Sequence, residues 1–157
     1  MKIVTSSCLI GLPTRYDGKS KKVDLPAFWD AAEIVHFCPE TEAGLGIPRE
    51  CIELVHCSDG EVRVMGRESR QDVTGRLSTC CMRMIQRLQS EGVDLFVLKA
   101  RSPSCGKVSA LHDFEGNEIG TSPGLWAGLI MKFFPDVPCL TEAEVLLGDQ
   151  EKQIKDL

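Results

Sequence analysis

A run of four apolar residues at positions 95–98 (LFVL) constrains the fold of this chain more than any other feature. The run does not alternate with polar residues, a pattern typical of a strand buried on both faces of a parallel sheet. A helical pattern precedes it, since apolar residues recur at helical spacing between residues 77 and 88. A second apolar segment, at about 124–134, predicts a helix after it. Strands that alternate with helices favour an α/β sheet of mainly parallel order.

Turn and cap signals place the remaining elements. The pair Asp59-Gly60 between two β-forming segments predicts a hairpin. We expect Asp72 or Thr74 to cap the long helix and Gly92 to follow its end. Other predicted elements are strands at 2–5, 34–37 and 137–140, a short helix at 26–33, a hairpin around 113–117, and a C-terminal helix opened by the T-x-x-E capping box at 141–144.

The length and the even composition predict one domain. A chain of 157 residues is about the size of a single domain, and it contains no repeat, linker or low-complexity tract. We predict a single α/β domain over residues 1–157. It would have a mainly parallel central sheet, flanking helices in a Rossmann-like three-layer arrangement, and small β-hairpin insertions.

The charge balance bears on the partners of the protein. Its net charge of −5 argues against non-specific polynucleotide binding, so a large nucleic acid is not expected without a partner that supplies cationic surface. One local exception is the cationic segment of Arg15, Lys19, Lys21 and Lys22, which is either a solvated loop or a contact for an anion or RNA. No signal peptide and no run of membrane-spanning length is evident, so we expect a cytoplasmic protein without membrane contact. No feature predicts an oligomeric state.

The chain contains eight cysteines, and we do not expect them to form disulfides, because a cytoplasmic protein keeps its thiols reduced. Ligands of open α/β sheets bind beyond the carboxyl ends of the strands. Cys8, Cys38 and Cys105 each follow a predicted strand, so we expect them to converge on one end of the sheet. The other five fit roles as small buried hydrophobes or strand residues; they are Cys51, Cys57, Cys80, Cys81 and Cys139.

The spacing of the three converging cysteines narrows the chemistry. Without a C-x-x-C pair, a zinc ribbon or a thioredoxin-like redox pair is disfavoured. An iron–sulfur cluster with one open iron fits three thiolates from separate loops. A zinc ion held by three cysteines and a histidine or water fits the spacing equally well. Beside them, Glu40 is either a proton donor and acceptor or a solvated loop acid, and Ser102 and Ser104 either orient a ligand or form a turn.

Several motifs together resemble the DUF523 family, which includes the thiouracil desulfidases. The resemblance runs from about residue 3 to residue 140. The motifs are residues 7–11 (SCLIG), 15–18 (RYDG), 38–40 (CPE) with 44–45 (GL) and 48–49 (PR), 72–74 (DVT), 98–99 (LK) and 102–106 (SPSCG).

The resemblance implies a [4Fe–4S] cluster held by three cysteines, which match Cys8, Cys38 and Cys105. It implies that the open iron takes the sulfur of a small thiolated base of the 2- or 4-thiouracil type, giving the oxo base and hydrogen sulfide. By similarity, Glu40 is the catalytic acid or base, and Ser102 positions the substrate or the departing sulfur. A soft thione sulfur prefers iron to hard oxygen ligands, in keeping with this scheme.

The chain departs from the family pattern at Ser7, where alanine is usual, and at Ala43, where glycine is usual. It also departs at residues 120–124 (GTSPG), which bears on the shape of the pocket. Alternative functions are a desulfurase of thiolated nucleosides or tRNA, with the cationic segment and Arg49 holding phosphate, or a non-catalytic iron–sulfur or zinc sensor closed by a fourth ligand such as Cys51. A thiol enzyme using Cys105 is a further alternative.

Overall fold

The computed structural model describes residues 1–147, so the last ten residues of the predicted domain, 148–157, lie outside the described residues. The described residues form eight strands and four helices, with two short 3₁₀ segments. The strands are β1 (Lys2–Ser6), β2 (Glu33–Phe37), β3 (Ile52–His56), β4 (Val62–Gly66), β5 (Leu95–Leu98), β6 (Ser109–His112), β7 (Glu118–Ser122) and β8 (Cys139–Thr141). The helices are α1 (Pro39–Glu42), α2 (Thr74–Glu91), α3 (Leu125–Phe133) and α4 (Glu142–Leu146), and the 3₁₀ segments are Ser7–Ile10 and Ala27–Ala31.

The first sheet has the strand order β2-β1-β5-β8, and every neighbouring pair in it is parallel. Val4 of β1 lies opposite Val35 of β2 and Phe96 of β5. All four residues of β5 are fully buried, as the unalternating apolar run predicts. The predicted α/β class, with a parallel sheet and flanking helices, is confirmed.

Both faces of this sheet are covered. Side chains alternate across β5, so Phe96 and Leu98 pack against α2 and α3, whereas Leu95 and Val97 face the opposite side. The first core cluster contains Val4, Phe37, Cys81, Ile85, Leu88, Phe96, Leu98, Cys105, Trp126, Ala127 and Ile130. The second contains Ile3, Cys8, Leu9, Trp29, Leu95, Val97, Leu140 and Val145.

The two predicted hairpins do not stay separate. They join into a second four-stranded sheet of order β4-β3-β6-β7, in which each hairpin is antiparallel and β3 pairs with β6 in parallel. Leu54 of β3 lies opposite Leu111 of β6. This pairing joins segments far apart along the chain, and no local pattern encodes it.

Helix α2 packs against both sheets. Near its start Leu77 contacts the cluster of the second sheet, while Ile85 and Leu88 lie in the cluster beneath the first. The N-cap residue of α2 is Val73, whose side chain makes no capping hydrogen bond. The side chain of Asp72, one residue before Val73, accepts the Thr74 N–H (2.9 Å). Within residues 1–147, no helix combines the length and the apolar character that a membrane crossing requires.

Candidate functional site

A cavity of about 380 Å³ opens beyond the carboxyl ends of β1, β2 and β5. Cys8, Cys38 and Cys105 all line it, each from a different loop. Glu40 and Ser102 line the same cavity. The structure therefore brings together the three predicted ligands and the two predicted catalytic residues, at the end of the sheet where ligands bind in this fold class.

Cys8 is held by the 3₁₀ segment that follows β1. Gly11 ends this segment with a φ of 96°, a left-handed conformation that favours glycine, and its N–H donates to the Cys8 carbonyl (3.3 Å). Burial raises the pKa of the Cys8 thiol to about 11, and the neighbouring Cys38 adds to the rise. The thiol is thus protonated at neutral pH, so a metal that binds there displaces a proton.

Cys38 and Glu40 lie at the start of α1, directly after β2. Cys38 is the N-cap residue of α1, and Pro39 follows at the first helical position, where its missing N–H costs nothing. The Cys38 Sγ lies 3.8 Å from the carbonyl oxygen of Thr14. This contact brings the loop after Cys8 against the loop that carries Cys38.

Cys105 lies in a tight loop after β5. Ser102 Oγ accepts the N–H groups of Ser104 (3.2 Å) and Cys105 (3.1 Å), which folds the loop around the serine. A Cβ at Gly106 would overlap Ser109 Oγ and approach the Ser102 backbone to 2.8 Å, so the loop closes only with glycine there. Burial raises the pKa of the Cys105 thiol above its ordinary value.

Glu40 is buried, and both of its carboxylate oxygens have partners. Ser104 Oγ donates to Oε1 (2.8 Å), and Arg49 Nε donates to Oε2 (2.7 Å). Arg49 is buried as well, with a side chain that is 5% exposed. Arg49 also lines the cavity, but its Nε is taken up by Glu40, so a contact with phosphate would have to use its remaining N–H groups.

The three side chains Ser102, Ser104 and Glu40 form a directed hydrogen-bond chain. The hydroxyl oxygens of Ser102 and Ser104 are 3.1 Å apart. Since the single proton of Ser104 is donated to Glu40, Ser102 is the donor to Ser104. The chain therefore runs from Ser102 at the cavity wall to the carboxylate. Sequence patterns miss Ser104 and Arg49 as partners of Glu40, because both contacts arise only from tertiary folding.

The other five cysteines divide into two groups. Cys51, just before β3, lines the cavity with the three predicted ligands. The remaining four do not line it; they are Cys57, Cys80, Cys81 and Cys139. Cys81 is fully buried in the core, as expected of a small hydrophobe. No disulfide joins any of the eight cysteines, all of which fall within residues 1–147.

Cations surround the cavity. Five cations line it, and Lys19, Lys21 and Lys22 do not; the five are Arg15, Arg49, Arg67, Lys99 and Arg101. Lys99 pairs with Glu142 (2.6 Å), and Arg67 lies 3.6 Å from Glu53. Exposed Arg101 makes no ion pair with another residue of the described part of the chain. The cavity therefore offers positive charge to a ligand.

The donor set fits an iron–sulfur cluster. Three thiols converge from three loops, and thiolates are the ligands that hold such clusters. Thr14 Oγ1, also in the cavity lining, is buried without a hydrogen-bond partner, so a hydroxyl donor is available to an acceptor atom placed there. Among residues 1–147, no group of three or more His, Cys, Asp or Glu side chains is arranged around a single metal ion. That finding concerns one ion, whereas the cysteines of a cluster bind separate irons.

Comparison with known proteins agrees with the resemblance that the motifs indicate. YbbK, an uncharacterized protein of Bacillus subtilis (strain 168), is 28% identical over 135 residues, covering 82% of this chain and 88% of YbbK. The solved structure of the [4Fe–4S]-dependent thiouracil desulfidase TudS (DUF523Vcz) matches with a TM-score of 0.72 and 29% identity, over 98% of this chain and 95% of TudS. Residues 3–142 match the sequence profile of the 2-thiouracil desulfurase family. The chain belongs to the 2-thiouracil desulfurase family.

Proposed function

We propose that this protein is an iron–sulfur-dependent enzyme that removes sulfur from small thiolated pyrimidines of the 2- or 4-thiouracil type. The observation that carries the proposal is the meeting of three loop thiols, Glu40 and Ser102 in one cavity. The family match and the similarity to TudS support it. The reaction replaces C=S by C=O with one water, giving the oxo base and hydrogen sulfide. It is a hydrolysis and needs no external oxidant or reductant.

Cys8, Cys38 and Cys105 would hold three irons of a [4Fe–4S] cluster and leave the fourth iron open. When bound, the cluster would supply a soft Lewis acid that favours a thione sulfur over a carbonyl oxygen. The reduced thiols that this requires are kept in the cytoplasm, where we propose that the protein acts.

Glu40 would take a proton from the attacking water at a carboxylate oxygen and deliver it to the ring or to the departing sulfur. Its burial and its two hydrogen bonds fix the carboxylate in one orientation. Ser102 Oγ, which accepts two backbone N–H groups, would orient the base by turning its proton from Ser104 to an acceptor atom of the substrate. In the structure that proton points to Ser104, whose own proton points to Glu40, so the positioning residue adjoins the proton-carrying group.

The proposal is tested by anaerobic reconstitution with iron and sulfide, followed by incubation with 2- and 4-thiouracil. We expect loss of the thione absorbance with one sulfide released per base. Cys8→Ser, Cys38→Ser and Cys105→Ser should each prevent cluster loading. Cys139→Ser is the matched control, because Cys139 lies outside the cavity lining. A loaded protein that leaves every thiolated base unchanged would contradict the proposal.

Catalytic roles are tested separately from loading. Glu40→Gln and Ser102→Ala should keep the cluster and lose turnover. Cys51→Ser tests the sensor alternative, since Cys51 lines the same cavity. An enzyme with an open iron should keep its turnover in Cys51→Ser, whereas a sensor closed by Cys51 should change its cluster spectrum.

A second candidate substrate is a thiolated nucleoside that carries phosphate. The cations at the cavity favour it, above all Arg101, which has no ion pair with a described residue. In this case kcat/KM for a phosphorylated thiolated nucleoside exceeds that for the free base, and Arg101→Ala removes the difference. Equal kcat/KM values for the two substrates would favour the free base.

A further inference from the structure

Arg49 occupies an unusual position for an arginine, because its side chain is 5% exposed and makes polar contacts in three directions. Its Nε donates to Glu40 Oε2 (2.7 Å), its Nη1 to the Gly46 carbonyl (3.0 Å), and its Nη2 to the Thr14 carbonyl (2.8 Å). Its backbone N–H donates to the Tyr16 carbonyl (2.9 Å). These bonds use three of the five guanidinium N–H groups and hold Glu40 from one side of the cavity, which Arg49 also lines.

These contacts connect the loops that form the cavity. Thr14 and Tyr16 lie in the loop after Cys8, while Glu40 lies in α1, which begins directly after Cys38. The Thr14 carbonyl that accepts from Arg49 also faces Cys38 Sγ (3.8 Å). One rigid planar cation therefore sets the position of the Glu40 carboxylate relative to both loops.

Each carboxylate oxygen of Glu40 accepts a hydrogen bond from a different residue. Ser104 holds Oε1 from the Cys105 loop, and Arg49 holds Oε2 from the opposite side. Removing Ser104 alone would leave one anchor, whereas removing Arg49 would take away both the charge-assisted bond and the connection to Thr14. The orientation of the carboxylate thus depends most on Arg49.

We infer that Arg49 is a positioning residue that acts through Glu40 and holds its carboxylate in the orientation that proton transfer requires. The inference rests on the proposed function, in which Glu40 moves the proton. It assigns Arg49 no contact with the substrate and no role in binding phosphate.

The inference predicts a specific kinetic signature. Arg49→Met keeps the length of the side chain and removes the cation, and we expect kcat to fall about 100-fold while KM changes less than about threefold, since a misplaced catalytic group affects the chemical step. Arg49→Lys should recover only part of the loss, because an ammonium cannot bond to Glu40, Gly46 and Thr14 in one plane. Ethylguanidine, which fits the space left in Arg49→Ala, should restore part of kcat.

Arg76→Ala provides the matched control. Arg76 Nη2 donates to the carbonyls of Ala43 and Gly44 (both 3.0 Å), so it also anchors the loop after α1, yet it does not touch Glu40. We expect its kcat to stay near the wild-type value. Iron content and the unfolding temperature, measured on every variant, identify any variant that fails to load or to fold.

A double-mutant cycle separates this inference from the proposed function. If Arg49 acts through Glu40, adding Arg49→Met to Glu40→Gln does not lower the residual rate of Glu40→Gln any further, as measured in single turnover with excess enzyme. If the fold-losses in rate of the two single variants multiply in the double variant, the inference is wrong. It is also wrong if cluster-loaded Arg49→Met has the wild-type kcat while Glu40→Gln is inactive. A fully active Glu40→Gln protein would instead overturn the role of Glu40 in the proposed function.

Discussion

Gly106 determines whether the loop that carries Cys105 can close. Its backbone N–H donates to the Ser102 carbonyl (2.8 Å), and a Cβ there would overlap Ser109 Oγ and press on the Ser102 backbone. Neither neighbour can move freely, because Ser109 Oγ itself donates to the Ser102 carbonyl (2.7 Å). Close packing at this position therefore fixes the geometry of one predicted ligand and one predicted catalytic residue at once.

We expect Gly106→Ala to destabilise the protein by about 1–3 kcal/mol, the usual cost of forcing a methyl group into a packed region, and to reduce cluster loading. Gly75→Ala is the matched control: Gly75 lies in α2 with open space around its Cβ position, so alanine should be neutral or stabilising by up to about 1 kcal/mol. Urea unfolding and iron content measure the two effects. Equal stability of the two variants would show that the loop around Gly106 relaxes without cost.

Cys139 gives a pH-dependent prediction away from the candidate site. Burial raises the pKa of its thiol from the ordinary 9.0 to about 11. Between these two pH values the folded protein retains a proton that the unfolded chain has lost. The contribution of the buried thiol to the free energy of unfolding is therefore complete below pH 9 and is lost as the pH rises toward 11. Over this pH range we expect the free energy of unfolding of the apo protein to fall by up to about 2 kcal/mol more than that of Cys139→Ala. If the free energies of unfolding of the two proteins change with pH in parallel, this expectation is wrong.

At the scale of residues, the candidate ligands could be predicted because their positions follow a local rule. Cys8, Cys38 and Cys105 lie in the segments that follow β1, β2 and β5, and the ends of parallel strands meet at one edge. The partners of Glu40 follow no such rule. Arg49 and Ser104 reach it through loop geometry, for which the sequence carries no periodic signal.

At the scale of elements, local chemistry predicts helices better than it predicts sheet pairing. The capping box at the start of α4 is present as predicted, with Thr141 Oγ1 accepting the Glu144 N–H and the Glu144 carboxylate accepting the Thr141 N–H. The hairpins were also predictable from their turns. Their union through β3 and β6 was not, because it depends on which exposed edges meet once the chain has folded.

Helix α4 fastens the loop after β5, which makes its cap relevant to the site. Glu142, its first residue, accepts from Lys99 Nζ and from the Ala100 N–H (both 2.6 Å), and both partners line the cavity. We expect Thr141→Ala to cost about 1 kcal/mol, or about 2–4 °C in Tm, and to speed amide exchange at Ala100. Glu144→Gln should cost less, since glutamine can accept the same reciprocal bond. Unchanged exchange at Ala100 in Thr141→Ala would mean that α4 does not control the loop.

At the scale of the whole molecule, the cavity lies where the two sheets meet. Cys8, Cys38 and Cys105 approach it from the parallel sheet, whereas Cys51, Ile52 and Arg67 approach it from the second sheet. Helix α2 contributes residues to the core clusters of both sheets and so connects them. The parallel sheet thus carries the three proposed ligands, and the second sheet, which local patterns predict only as hairpin insertions, supplies part of the cavity wall.

This arrangement predicts that cluster loading stabilises the entire fold. A cluster held by Cys8, Cys38 and Cys105 would cross-link three loops in the folded state only, so reconstitution should raise Tm. It should also slow amide exchange in residues 7–16, 38–42 and 102–106. The exposed turn at residues 113–117 lies outside the cavity lining and serves as the internal control, with unchanged exchange. Removing the iron with a chelator should reverse both effects. Loading that protects only one of the three loops would contradict a cluster shared among all three cysteines.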